Sequence, residues 1–217
     1  MKHGAIFDMD GTLLNTERFY TQGWIETADK FGLERKPELA KAMSGSSVTA
    51  MPEIMHRFYP DVDADKYIST VVDFVKSESA KTLELMPGVN EIIEYFKSKN
   101  VVMAVASSSL KSVVEANLIR TGIRDYFKVV IGGDQIKKGK PAPDIFLKAA
   151  EELNVAPTDC YVFEDSFNGV RAGHASGALT IMIPDQVQPN EEIKKICRVY
   201  DSLTSAMQAI QRGDDNC

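Results

Sequence analysis

Cysteine, histidine and tryptophan are scarce in this chain of 217 residues, which carries three, three and one of them. Cys160, Cys197 and Cys217 are odd in number and share no metal-ligand spacing, so neither a disulfide framework nor a zinc cluster organises the fold. Reduced thiols, with no leader-like apolar opening, point to a cytoplasmic protein. No apolar run approaches the ~18 residues of a membrane span. Basic residues are in deficit: Lys and Arg number 25 against 31 Asp and Glu, a net charge of −6, which argues against a nucleic-acid surface. There is no internal repeat and no low-complexity tract. What is left is an ordinary globular composition, 44% hydrophobic, long enough for one α/β domain with a small insert.

The chemistry begins at Gly4-Ala5-Ile6-Phe7-Asp8-Met9-Asp10-Gly11-Thr12. A short apolar run that meets a turn signal reads as a buried strand, and ligands of α/β sheets bind beyond the carboxyl ends of such strands. Asp8 and Asp10 therefore stand where a site belongs. Side chains alternate along a strand, so the turn at Gly11 is expected to bring the two carboxylates to one point. Two like charges side by side are costly, and a divalent cation is the natural compensation.

The rest of the chain divides by pattern. Helices are expected over 17–31, opened by Asn15 or Thr16, then over 37–43, 50–58 and 63–82. This all-helical block lies between strand-rich stretches and reads as an inserted cap covering 15–84, leaving a core of 1–14 and 85–217. Helix and strand alternate from there. Helices are expected at 89–99, at 110–121 with Ser109 as its cap, from Pro143 and Asp144 to 153, and at 170–176. Strands are expected at 101–106, 128–131 and 160–163, with a last one at 179–183. The run 191–195 reads as a solvated charge stretch, and 213–217 as a frayed tail. Strands alternating with helices imply a doubly wound parallel sheet, Rossmann-like, with the helical cap inserted.

Asp8-Met9-Asp10-Gly11-Thr12 resembles the opening motif of the haloacid dehalogenase superfamily, which is mostly phosphatases and phosphomutases. Three further elements follow in that family's order. They are Ser107 at a strand tip, Lys140 within Gly139-Lys140-Pro141-Ala142-Pro143-Asp144, and Glu164-Asp165-Ser166 followed by Asn168-Gly169. Within the superfamily the chain most resembles the β-phosphoglucomutase-like sugar phosphatases.

The resemblance implies hydrolysis of a small phosphate monoester, a sugar or polyol phosphate, by way of an aspartyl-phosphate. Asp8 would be the nucleophile and Asp10 the general acid and base. Ser107 would hold phosphate oxygens and Lys140 would neutralise charge. Mg²⁺ would sit against Asp8, the Asp10 backbone carbonyl and Asp165, with Glu164 either a ligand or a partner of one. Thr16, Tyr20 and Ser108 would face the substrate. The expected partner is a small phosphorylated metabolite, with no nucleic acid or membrane, and the expected state is a monomer.

Two other classes fit less well. A phospho-accepting module without turnover would lack a helical insert and would not carry its acceptor on the first strand. A phosphomutase of the β-phosphoglucomutase type has a His four residues after the Thr that matches Thr16. Here that residue is Tyr20, whose reference pKa of about 10 is too high for a base near neutrality. The cap loop Met43-Ser44-Gly45-Ser46-Ser47-Val48 also lacks the cations of the mutase pattern, which leaves Lys111 and Arg57 as the alternative sources of charge.

Overall fold

A computed structural model of the chain describes residues 1–43, 46 and 50–214. The expectations for the cap loop at 44–45 and 47–48, and for the tail at 215–217, fall outside the described residues.

Strand β1, Gly4–Phe7, lies in the middle of a six-stranded parallel sheet. The others are β2 (Val102–Ala106), β3 (Val129–Ile131), β4 (Cys160–Glu164), β5 (Leu179–Met182) and β6 (Arg198–Val199), in the spatial order β3-β2-β1-β4-β5-β6. Ile6 pairs with Ala104 on one side and with Val162 on the other. Alternate side chains of β1 go to opposite faces, as the pleat requires. Ala5 and Phe7 join one apolar cluster with Phe96 and Phe163, and Ile6 joins a second with Ala104 and Val162. Both faces are covered, which is why these strands are apolar throughout. The Phe7 and Phe163 rings stack at 4.6 Å, an arrangement worth ~0.5–1.5 kcal/mol beyond burial.

Between β1 and β2 the chain forms α1 (Glu17–Lys30), α2 (Pro37–Met43), α3 (Met51–Phe58) and α4 (Ala64–Thr82). They pack around their own centre of Trp24, Leu39, Met55 and Tyr67. Tyr67 is fully buried; its hydroxyl donates to the Trp24 carbonyl at 2.8 Å and its ring stacks on the indole. The chain leaves and re-enters the sheet side by side: Asn15 N donates to Glu84 O, and Leu14 bridges Leu85.

The remaining helices are α5 (Val89–Ser98), α6 (Lys111–Arg120), α7 (Asp144–Leu153), α8 (Phe167–Ala175), α9 (Glu191–Lys194) and α10 (Leu203–Arg212). The structure corrects the sequence at several points. Ser109 does not cap α6; the backbone N–H of Lys111 is taken by Asp134 from the loop after β3, at 2.8 Å. Helix α8 starts three residues before the expected 170, because Ser166 caps it by accepting from Gly169 N. The strand at 179–182 is not the last, since β6 pairs beyond it. The charge run at 191–195 contains α9, anchored by the buried Ile193, and α10 was not anticipated.

Candidate active site

The order of the sheet reverses at β1: the chain proceeds from β1 to β2 and β3 on one side, then returns to β4 on the other. The crevice at such a reversal is where open α/β sheets bind ligands. Asp8 follows β1 and Asp165 follows β4, so both open into it. Asp8 N donates to Phe163 O at 2.9 Å, which continues the ladder one residue past the strand and fixes the carboxylate at the rim. Gly11 has φ of +82°, and a Cβ on it would lie 2.5 Å from Asp165 Oδ2. Only glycine lets the loop after β1 pass against that carboxylate.

Lys140 is 5% exposed and reaches both strand ends. Its Nζ donates to Asp8 Oδ1 and to Glu164 Oε1, each at 2.5 Å. Burial works against the ammonium, but Asp8 and Glu164 outweigh it and hold the pKa above the ordinary lysine value. Burial likewise raises the Asp8 carboxyl, against the pull of Lys140. Glu164 is fully buried, and its other oxygen accepts from Asp165 N, Ser166 N and Ser166 Oγ. A Cβ on Gly169 would fall 1.8 Å from the Glu164 carboxyl carbon, so Gly169 makes the room for this side chain. Glu164, expected as either a metal ligand or a partner of one, does not line the cavity, and its contacts clamp Lys140 and the turn after β4.

Asp10 lines the same cavity, close enough for its charge to raise the Asp8 carboxyl. It is held by its own donors. Thr16 Oγ1 donates to Oδ1 at 2.7 Å, and Ser107 Oγ and Ser109 Oγ both donate to Oδ2 at 3.1 Å. Burial raises the Asp10 carboxyl, and these hydrogen bonds pull it back only in part. Thr16 is 1% exposed, lines the cavity and gives its hydroxyl to Asp10. Ser107 is fully buried, accepts from Ser109 N as well as donating to Asp10, and does not itself line the cavity. Ser109 is free for this network because Asp134 does the capping. Ser108 does line the cavity.

The Asp165 carboxylate is 3% exposed, and among the described residues no hydrogen bond or ion pair reaches it. Burial, Glu164, Asp8 and Glu17 all push its pKa up. Asp8, Asp10, Glu17, Glu164 and Asp165 thus crowd one site, with Lys140 buried among them. A buried carboxylate with no partner is costly unless a cation meets it. No group of three or more His, Cys, Asp or Glu side chains forms a ready-made cage among the described residues. Mg²⁺ does not need one, since it takes one or two carboxylates and completes its shell with water and phosphate. The residues present fit that ion, with Asp8 and Asp165 as the side-chain donors.

The cap closes this crevice into a cavity of about 500 Å³. Tyr20 faces it, as expected, and burial drives its phenol well above the ordinary tyrosine value. Sequence reasoning passed over Glu17, which is buried at the cavity wall with its carboxyl pushed up to about 8 by burial and by Asp10. An acid in the first turn of a helix is what the helix dipole favours, so its type gave no separate signal. Asn117, Lys76 and Arg120 also line the cavity and were not singled out. Their only signal is a place on one helix face, and that is readable only once the packing is known. Lys111 and Arg57, the other cations considered, do not line it.

Residues 5–183 match the family model described as haloacid dehalogenase-like hydrolase. The chain is 34% identical over 175 residues to fructose-1-phosphate phosphatase YqaB of Escherichia coli (strain K12), covering 80% of this chain and 92% of that protein. It is 34% identical over 174 residues to a phosphorylated carbohydrates phosphatase of Thermotoga maritima, covering 80% of this chain and 81% of the other. Among solved structures it resembles CbbY from Rhodobacter sphaeroides in complex with phosphate. There the identity is 27% and the TM-score 0.79, with 94% of this chain and 96% of that one covered.

Proposed function

The chain belongs to the haloacid dehalogenase-like hydrolases, in the β-phosphoglucomutase-like sugar phosphatase group, and from that premise we propose how its site works. It is a phosphoric monoester hydrolase; the proposal concerns its mechanism, cofactor and substrate. The substrate is a small phosphorylated sugar, the class named in two of its relatives, or a polyol phosphate, and the reaction runs through a phosphoryl group carried on Asp8.

Lys140 holds Asp8 Oδ1, which leaves Oδ2 to attack phosphorus. As that P–O bond forms, the bond to the alcohol oxygen breaks. Asp10 enters this step protonated, as its burial favours, and gives its proton to the leaving oxygen. The Asp10 carboxylate then takes a proton from water, which attacks phosphorus and returns Asp8 and inorganic phosphate. Lys140 balances negative charge on the phosphoryl oxygens in both steps. Asp8, Asp165 and the Asp10 backbone carbonyl would hold Mg²⁺, which when bound supplies further charge stabilisation to the phosphoryl group. The cap excludes bulk water while the first step runs.

The observation that carries this reading is Asp8 pinned at one oxygen by a buried lysine beside the partnerless carboxylate of Asp165. Phosphate release from sugar phosphates with Mg²⁺, together with acid-quenched mass mapping of a phosphoryl adduct to the peptide that holds Asp8, tests it. An adduct on another residue, or turnover without one, overturns it. We place the enzyme in the cytoplasm as a monomer, with Cys160 and Cys197 reduced. Both thiols are free, and burial pushes each up to about 11, which suits inert thiols. No helix among the described residues is long and apolar enough to cross a membrane.

A further inference from the structure

Away from the carboxylates the cavity turns apolar. Ile68, Val72 and Val75 of α4 form its cap side; Leu110, Val113 and Ala116, just before and along α6, form its core side. Ser46 and Ser79 spend their hydroxyls on their own backbone, while Ser112, Lys76 and Arg120 border this part as well. Ser46 Oγ donates to Met43 O at 2.7 Å, and Ser79 Oγ donates to Lys76 O at 3.2 Å. Asn117, 8% exposed, is the deeply set amide of the lining, and Tyr20 offers a ring beside the carboxylates.

A bare sugar or polyol phosphate does not complement such a wall. Each hydroxyl pressed against Ile68 or Val113 gives up hydrogen bonds to water and gains none. An apolar ring gains by the same burial, and aromatic rings pack favourably against a phenol face. A volume of about 500 Å³ also lies in the range of sites that enclose a whole ligand rather than a phosphate alone. Small-molecule sites of this kind are mostly apolar with a few placed polar groups, and here Asn117 is such a group.

We infer that the substrate is a phosphorylated sugar that carries a ring-shaped apolar substituent. The phosphate lies at Asp8, and the substituent lodges between α4 and α6 with one hydrogen-bonding edge toward Asn117. This rests on the phosphatase reading and narrows its substrate class.

Two matched pairs test it, each keeping the reacting ester constant. One is phenyl against methyl β-D-glucoside 6-phosphate; the other is thymidine 5′-monophosphate against ribose 5-phosphate. With Mg²⁺ present, kcat/KM is expected to favour the ring-bearing member by about tenfold or more in at least one pair. Val72→Asn, which places an amide in the wall, should shrink that preference below about threefold. Ala116→Phe, which fills the space from an exposed position of α6, should do the same if Val72→Asn does not fold. Equal turnover within both pairs, or preference for the bare sugars, overturns the inference and leaves the phosphatase reading standing. A preference that survives intact in a folded variant also overturns it, because the wall would then not be its cause. Absence of phosphate release from every ester, acetyl phosphate included, overturns the phosphatase reading and this inference with it.

Discussion

The core and the cap treat the same cavity in opposite ways. The core supplies charges and fixes each one: Asp8 through Lys140, Lys140 through Glu164, Asp10 through Ser107 and Ser109. The cap supplies mostly surface, from the rings of α1 and the aliphatic side chains of α4. Even its polar groups near the chemistry, Thr16 and Glu17, belong to the first turn of α1, next to the connection from the core. Phosphoryl chemistry needs groups held in place at the moment of reaction, which strand ends and buried hydrogen bonds provide. Choice among alcohols needs a wall of the right shape, which helix faces provide. Substitutions in the two regions should therefore fail differently: core variants in kcat, cap variants in KM and substrate preference.

The largest effect is expected at Asp8. Asp8→Asn removes the nucleophile at nearly constant shape and should cost more than about 10³-fold in turnover, or ~4 kcal/mol of barrier. The protein should remain folded by circular dichroism. More than about a tenth of wild-type activity would place the nucleophile elsewhere.

Lys140→Ala comes next. It should lower kcat by about 10²–10³-fold, the loss of a charge aimed at the transition state. It also leaves Glu164 buried without its cation, a defect that costs ~3–5 kcal/mol of stability. Lys137→Ala and Lys138→Ala, outside the cavity, should change neither. Urea titrations alongside kinetics check all three, and equal effects would remove Lys140 from its special position. Asp165→Ala should raise the Mg²⁺ concentration needed for half-maximal turnover by at least about tenfold, because that ion tolerates poor coordination badly. Activity that survives exhaustive chelation would break the metal assignment.

Thr16→Val isolates positioning from chemistry. It deletes one donor to Asp10 and keeps the shape of a residue that is nearly fully buried. Hydrogen bonds to charged groups are worth ~1.5–3 kcal/mol, so kcat should fall by about ten- to a hundredfold with KM little changed. The acidic limb of the kcat profile should also move to higher pH. Thr16, Ser109 and Ser107 all pull the Asp10 carboxyl down, so losing one lets it rise and stay protonated to higher pH. A change in KM alone would return Thr16 to substrate contact.

What the sequence made legible follows the same division. Asp8 and Asp165 sit where an apolar run breaks into turn residues, a boundary visible without any structure, whereas Lys140 stands out only through its Lys-Pro-x-Pro-Asp context. Asp10 was legible as a residue but not in its partners, since Ser107 and Ser109 meet it only when β2 lies beside β1. Ser107 was legible only in part for a related reason: a serine at a strand tip fits both a phosphate contact and an internal hydrogen bond, and its bond to Asp10 shows only with the strands in place. Strand β6 is two residues long, too short to show a pattern, whereas α10 carries Leu203, Ala206, Met207 and Ile210 at helical spacing behind the Ser202 cap, a legible signal that sequence reasoning passed over. The cavity wall was least legible. Ile68, Val72 and Val75 follow the helix period of any cap helix, so the sequence marks them as a buried face without saying whether they meet protein or ligand.

The smallest effect is expected at Lys76, and it bears on whether the enzyme hydrolyses or transfers. A mutase must grip a second phosphate from the cap, and the sequence of the cap loop offered no cation for that purpose. Lys76 is a cap cation that does line the cavity. It is exposed, and among the described residues it makes no ion pair, so its field is weakened by solvent and salt. A mutase grip would instead be a buried, multiply bonded cation in the manner of Lys140. Tyr20, high in pKa through burial, offers no base on the cap to complete the transfer. Lys76→Ala should therefore raise KM for a monophosphate by about two- to threefold at low salt, with kcat unchanged, and the difference should vanish above the physiological ionic strength. In ³¹P NMR, a hexose monophosphate that is turned over should give inorganic phosphate, with no interconversion of the 1- and 6-phosphates even when a sugar bisphosphate is added. A loss of kcat beyond about tenfold in Lys76→Ala, or isomer appearing ahead of phosphate, would give the cap a catalytic charge and erase the contrast between the two regions.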